Sequence, residues 1–130
     1  MRWDRAFVSR SLVCALVAAL APAFSQGASS LRPEEASLHI GEEAEVCGVV
    51  ASATYATRSN GEPTFLNLGK AFPNHIFTAL IWGSDRTKFS YRPESLNGER
   101  ICVTGLITKY DGKPQIIVSR ATQIRRPSAD

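Results

Sequence analysis

From Leu38 onward the apolar residues of this chain come in short runs, each closed by glycine, proline or asparagine. That texture predicts strands rather than helices. Across residues 43–54, Ala44, Val46, Gly48 and Val50 alternate with Glu43, Glu45 and Cys47, and the period of two assigns a first strand with one buried face. Gly48 in mid-strand predicts a bulge or a sharp bend. The polar stretch 58–63, with Asn60-Gly61 inside it, reads as a tight turn. A second strand is expected at 64–68 and a third, β-branched and aromatic, at 76–82. Residues 84–96 break the alternation, and Ser84 or Asp85 is placed to cap one or two helical turns over 86–90. After the turn Asn97-Gly98, a fourth strand covers 100–109, with Ile101, Val103 and Ile107 on one face and Cys102, Thr104 and Thr108 on the other. Asp111-Gly112 then makes a hairpin turn into a fifth strand, Gln115 to Ser119. From Gln123 the chain is polar and basic and is expected to fray.

Three strands, a short helical insert and two more strands is the order of an OB-fold. The expected fold class is therefore all-β: a five-stranded OB-fold Greek-key barrel with a short helix between strands three and four, spanning 38–124 and followed by a tail at 125–130. The pattern ahead of the barrel is different in kind. Arg2, Arg5 and Arg10 precede an apolar run from Leu12 to Ala21, and Ala21-Pro22-Ala23 follows it. A basic segment, a short apolar core and a small-x-small site define a secretory signal peptide, here 1–23 with an alternative cleavage up to 28. The run is shorter than the roughly 20 residues of a membrane span, so an uncleaved anchor is the lesser reading. Residues 24–37, small, polar and charged, read as a linker. The expected address is periplasmic or secreted.

Removal of the signal changes the charge argument. The 130-residue chain carries 15 Lys+Arg and 12 Asp+Glu, for a net charge of +3. Three arginines and one aspartate leave with the signal, so 12 basic and 11 acidic residues remain, net +1. A strongly basic nucleic-acid binder is excluded on net charge, and any electrostatic footprint must come from segregation of charge.

Cleavage also reduces three cysteines to two, Cys47 and Cys102, in a compartment where thiols pair. Strands one and four of an OB barrel are antiparallel neighbours, and each cysteine is out of phase with the Val/Ile set of its strand. Both are thus expected on the same outer surface, facing each other as a disulfide; two free thiols are the alternative. With two histidines, His39 and His75, and no close Cys or His pair, no metal site and no cofactor are expected. Nor is there a G-x-S-x-G, a phosphate loop or a Cys-x-x-Cys, so the chain is expected not to be an enzyme.

The segments Phe65-Leu66-Asn67-Leu68-Gly69, Phe72-Pro73-Asn74, Phe77-Thr78 with Ile81, Val103-Thr104-Gly105-Leu106-Ile107 and Tyr110-Asp111-Gly112-Lys113-Pro114-Gln115-Ile116 carry a resemblance. Over residues 40–124 the chain resembles a bacterial, exported group of nucleic-acid-binding OB-fold domains, the helicase- and tRNA-anticodon-like group, similar to OB modules attached to secreted nucleases. Strands two and three and the loops between strands one and two and four and five form the usual OB binding face, where aromatics stack on bases and cations follow phosphates. Tyr55, Arg58, Phe65, Asn67, Lys70, Trp82, Tyr110 and Lys113 are the residues so placed. Phe77 shares its phase with Ala79 and Ile81 and is expected in the core. Phe65 shares its phase with Asn67 and is the stronger stacking candidate. The expected function is a non-catalytic module binding single-stranded nucleic acid; a cell-envelope protein or glycan is the alternative partner.

Overall fold

The computed structural model describes residues 29–127. The signal-peptide segment 1–23 and its alternative cleavage site lie outside the described residues. Five strands close into a barrel: β1 (Glu43–Tyr55), β2 (Thr64–Leu68), β3 (Phe77–Ile81), β4 (Arg100–Tyr110) and β5 (Lys113–Ile117). A two-residue strand, β6 (Ile124–Arg125), pairs on the outside of β4. The order around the barrel is β1-β2-β3-β5-β4, and β4 closes back onto β1. All pairings are antiparallel except β3–β5, which is parallel. This is the closed Greek-key barrel of an OB-fold.

The period-two pattern works as sterics require, because each strand sends alternate side chains inward. Val46, Val50, Leu66, Leu68, Phe77, Ala79, Ile81, Ile101, Val103, Ile107 and Ile116 are fully buried inside the barrel. Phe77 is therefore a core residue, as its phase predicts. The β4–β5 hairpin turns on Asp111 and Gly112, both with positive φ (52° and 80°). A two-residue turn with both φ values positive matches the twist of its strands, and Asp-Gly is among the few dipeptides that accept it.

Between β3 and β4 the chain makes two 3-10 turns, Gly83–Lys88 and Pro93–Leu96, rather than helical turns over 86–90. Neither Ser84 nor Asp85 is the cap. The first turn begins after Trp82 with no side-chain cap, and Asp85 instead meets Lys88 at 2.7 Å. The second turn inserts Leu96 into the core, where it is fully buried and plugs the barrel. The bulge expected at Gly48 lies further along, where the β1–β2 register slips between Val50 and Ser52. Gly48 serves a different need: a Cβ there would stand 2.6 Å from Pro33 Cγ.

That contact also corrects the linker assigned to 24–37. Leu31 bridges to Val46 in parallel, the backbone exchanging bonds with Glu45 and Cys47. A 3-10 turn, Pro33–Leu38, then buries Pro33 and Ala36 against the barrel. Its own composition reads as polar, but two small apolar side chains suffice to seat it. The folded domain thus begins by Leu31 rather than at Leu38. At the other end, residues 125 and 126 are held rather than frayed: Arg125 contacts Glu45 at 3.3 Å, and Arg126 lies 5.0 Å over the Tyr91 ring and 3.6 Å from Glu99.

Cys47 and Cys102 are directly opposite each other in the β1–β4 ladder and form a disulfide, with Cα atoms 4.0 Å apart. The Cys47 amide donates to the Leu31 carbonyl rather than across to Cys102, so the pair is of the narrow, non-hydrogen-bonded kind that brings facing side chains closest. Although both lie on the outward phase, they are 6% and 2% exposed.

Candidate functional site

The register of the strands lines up a row of polar side chains on the outer face of the barrel. Ser52 of β1 opposes Asn67 of β2, which opposes Thr78 of β3; Thr78 opposes Gln115 of β5, which opposes Thr108 of β4. In β2 to β5 the residue is out of phase with the buried set, and in β1 the register slip between Val50 and Ser52 brings Ser52 onto the same face. Its middle three members, Asn67, Thr78 and Gln115, form the floor of a cleft of about 560 Å³, within the size range of small-molecule sites. Phe65 and Thr54 border it on the β1–β2 side. Phe72, Pro73 and His75 from the β2–β3 loop form one wall, and Tyr110, Asp111 and Lys113 from the β4–β5 hairpin form the other.

Hydrogen bonds order one half of the polar row. The Asn67 amide donates to Ser52 Oγ at 3.0 Å, and Thr78 Oγ1 donates to Asn67 Oδ1 at 2.8 Å. Ser52 Oγ accepts a second bond, from the Phe72 backbone N–H at 3.2 Å. This explains a buried asparagine: Asn67, 3% exposed, ties the wall-bearing β2–β3 loop to three strands. The other half is unspent. Gln115 makes no side-chain hydrogen bond among the described residues, and Thr108 Oγ1 and His75 Nδ1 are buried without a partner among them.

The walls are aromatic and braced. The Phe72 and His75 rings stack with centroids 5.6 Å apart. Lys113 Nζ donates to the Pro73 carbonyl at 2.7 Å, bridging the mouth of the cleft from one wall to the other. Burial first, and then the Lys113 charge, hold His75 below the ordinary imidazole range, so at neutral pH it is an uncharged ring. Phe72 and Tyr110 are 71% and 70% exposed, an uncommon exposure for two large rings flanking one cleft.

Four of the eight residues placed on the binding face by sequence line this cleft: Phe65, Asn67, Tyr110 and Lys113. Arg58 and Lys70 are exposed on the loops after β1 and β2 but do not line it. Tyr55 and Trp82 are elsewhere, with evident reasons. The Arg86 guanidinium lies 3.6 Å over the Tyr55 ring while bonding Thr64 Oγ1 (2.6 Å) and both Glu94 oxygens (2.8 and 3.2 Å). Trp82 packs against Gly61 so closely that a Cβ there would sit 2.8 Å from the indole. Both aromatics brace loops. Phe72, His75, Thr78 and Gln115 were not singled out by sequence as binding residues. Phase alone marks Thr78 and Gln115 as outward, but only strand pairing sets them beside Asn67.

Glu45, Cys47 and Cys102 group closely enough to suggest a metal set, but both sulfurs are spent in the disulfide. No helix among the described residues is long and apolar enough to cross a membrane.

No protein-family model matches the chain, and no curated protein matches it in sequence. Among solved structures it is similar to a Leishmania major Friedlin chain assigned as an aspartyl-tRNA synthetase, with a TM-score of 0.47 and 9% identity over 78% of this chain. It is also similar to aspartyl tRNA synthetase from Entamoeba histolytica, with a TM-score of 0.46 and 18% identity over 76%. The chain spans 21% and 22% of the length of these two proteins.

Proposed function

We propose that the chain is an exported, non-catalytic binding module that takes single-stranded nucleic acid into the cleft between the β2–β3 loop and the β4–β5 hairpin. One observation carries the reading: exposed aromatic walls stand over a floor of neutral hydrogen-bonding groups. A nucleobase has the matching anatomy, a flat π-face with a polar edge, and bases unstacked from a duplex are held in this way. Lys113 lines the cleft, Lys70 is exposed on the β2–β3 loop and Lys109 near the end of β4, and these are the cations proposed for a phosphate track. Export is supported by the arginine-flanked apolar segment ahead of the barrel and by the disulfide, a bond that persists in oxidising compartments. A binding role rather than catalysis is supported by the lining groups, which are amides, hydroxyls, one imidazole, one lysine and one carboxylate, without a hydrogen-bonded acid–base pair among them.

A second reading, a cell-envelope glycan or protein segment, is favoured by one observation. Lys113 is already committed to Pro73 and Asp111 shares its wall, so the cleft itself is nearly neutral. Salt dependence separates the two. Trp82 sits off the cleft, so the reporter belongs on the ligand. Labelled single-stranded DNA and RNA are titrated by fluorescence anisotropy over a range of salt. Two phosphate contacts give a slope of log K against log[salt] of about −1.4. Phe65→Ala or Tyr110→Ala should weaken binding about 5- to 100-fold, the loss of one stacked base. Absence of binding even at low salt overturns the nucleic-acid reading; salt-independent binding of an oligosaccharide or envelope peptide establishes the second.

A further inference from the structure

The direction of the hydrogen bonds in the floor decides what the floor accepts. Thr78 has one hydroxyl proton, and it goes to Asn67 Oδ1 at 2.8 Å. Toward the cleft Thr78 therefore offers lone pairs alone. Its ladder neighbour Gln115 offers an N–H₂ and a carbonyl, neither engaged among the described residues. Asn67, the other candidate for recognising a ligand, is tied to Ser52 and Thr78 and 3% exposed, which makes it a positioning residue. The walls beside this pair are the stacked Phe72–His75 rings on one side and Tyr110 on the other.

We infer that the cleft discriminates by the edge of a single planar heterocycle laid over Thr78 and Gln115: a ring edge bearing an N–H donor next to an acceptor, with the donor at Thr78. Gln115 is the residue that reads that edge. The inference rests on the reading of a nucleic-acid cleft and narrows it from a base held between aromatic walls to the one edge of that base that is read. Adjacent donor and acceptor groups occur on the edges of uracil, thymine, guanine, cytosine and adenine. A ring edge of this kind is absent from the sugar–phosphate backbone and from a base whose donor nitrogen has lost its hydrogens to methylation. Selection follows from asymmetry: a ligand that buries Thr78 Oγ1 and the Gln115 amide without answering them incurs about 1–3 kcal/mol per group left unpaired.

Two titrations of the oxidised protein test this separately from its premise. The first compares a labelled oligonucleotide with an abasic oligomer of equal length. The second adds free nucleosides, and their counterparts blocked at the donor (N3-methyluridine, N6,N6-dimethyladenosine), while the side-chain amide signal of Gln115 is followed by NMR. The expected result is abasic binding weaker by about tenfold or more. The best-bound nucleoside should move the Gln115 amide signal, and blocking its donor should cost about 5- to 100-fold. Gln115→Ala should weaken the best-bound nucleoside about 5- to 100-fold while leaving the binding of the abasic oligomer unchanged. Equal binding of the abasic oligomer overturns the inference and the stacking beneath it, and leaves nucleic-acid binding through the phosphates alone. Nucleosides that bind where no oligomer does support the inference and overturn its premise. A blocked nucleoside that binds as well as its parent overturns the inference outright.

Discussion

Reduction of the Cys47–Cys102 bond should cost this domain a large share of its stability. The bond closes a loop of 55 positions, from β1 to β4. In the chain-entropy account, closing a loop of that length removes disorder from the unfolded chain worth about 4 kcal/mol, against a total of about 5–15 kcal/mol for a domain. The native state changes little on reduction, because the two thiols stay opposite each other in an intact ladder and remain buried. The effect should thus sit in the unfolded state, which gives it a second signature. Freed of its cross-link, the unfolded chain exposes more surface, so the urea dependence of the unfolding free energy should steepen as the midpoint falls. Urea unfolding of the oxidised and reduced protein, followed by circular dichroism, measures both. The variant Cys47→Ala/Cys102→Ala should match the reduced protein or fall slightly below it, since it adds a small void. A loss below about 1 kcal/mol with an unchanged urea slope would refute the reasoning; it would mean that β1 and β4 stay associated in the denatured chain, leaving no loop for the bond to close.

Further outcomes follow from four single substitutions. Asn67→Ala should destabilise by about 2 kcal/mol, because Thr78 and Ser52 lose partners in a buried network; faster amide exchange at Phe72 would show the wall loosened, and exchange unchanged there would refute the tie between floor and wall. The Arg86 guanidinium holds the Glu94 carboxyl below its ordinary 4.5, so this pair contributes stability above that pH that is lost as pH falls through and below it. Unfolding measured across the acid range should accordingly show a shallower loss in Glu94→Gln than in the native protein, and Arg86→Met should cost about 2 kcal/mol at neutral pH by also freeing Thr64. Gly48→Val should cost about 1–3 kcal/mol by displacing Pro33, and should raise amide exchange at Cys47, whose bond runs to Leu31; protection unchanged at Cys47 counts against that seat.

Much of the barrel was legible in the chain itself. The period of two fixes which face of each strand turns inward, so Val46, Phe77 and Ile107 announce the core before any pairing is known. Asp111-Gly112 names its own turn, because few dipeptides accept two successive positive φ angles. The two outward cysteines could be matched because they are out of phase with the apolar sets of strands that the OB topology makes neighbours. Less legible was anything that depends on small apolar contacts. Pro33 and Ala36 seat a segment whose composition is that of a linker, and Leu96 plugs the barrel from a stretch with no period at all. Sequence also distributed aromatics over the binding face by loop membership, which is too coarse. Tyr55 and Trp82 are in the named regions, but one lies under Arg86 and the other on Gly61, partners remote in sequence. What the tertiary structure alone decided is the polar row that supplies the floor of the cleft. Asn67, Thr78, Thr108 and Gln115 are each an ordinary outward polar residue of a single strand, and Ser52 joins them through the register slip after Val50. Their alignment across five strands is a property of register, and which protons they have left to give is a property of the bonds that register permits.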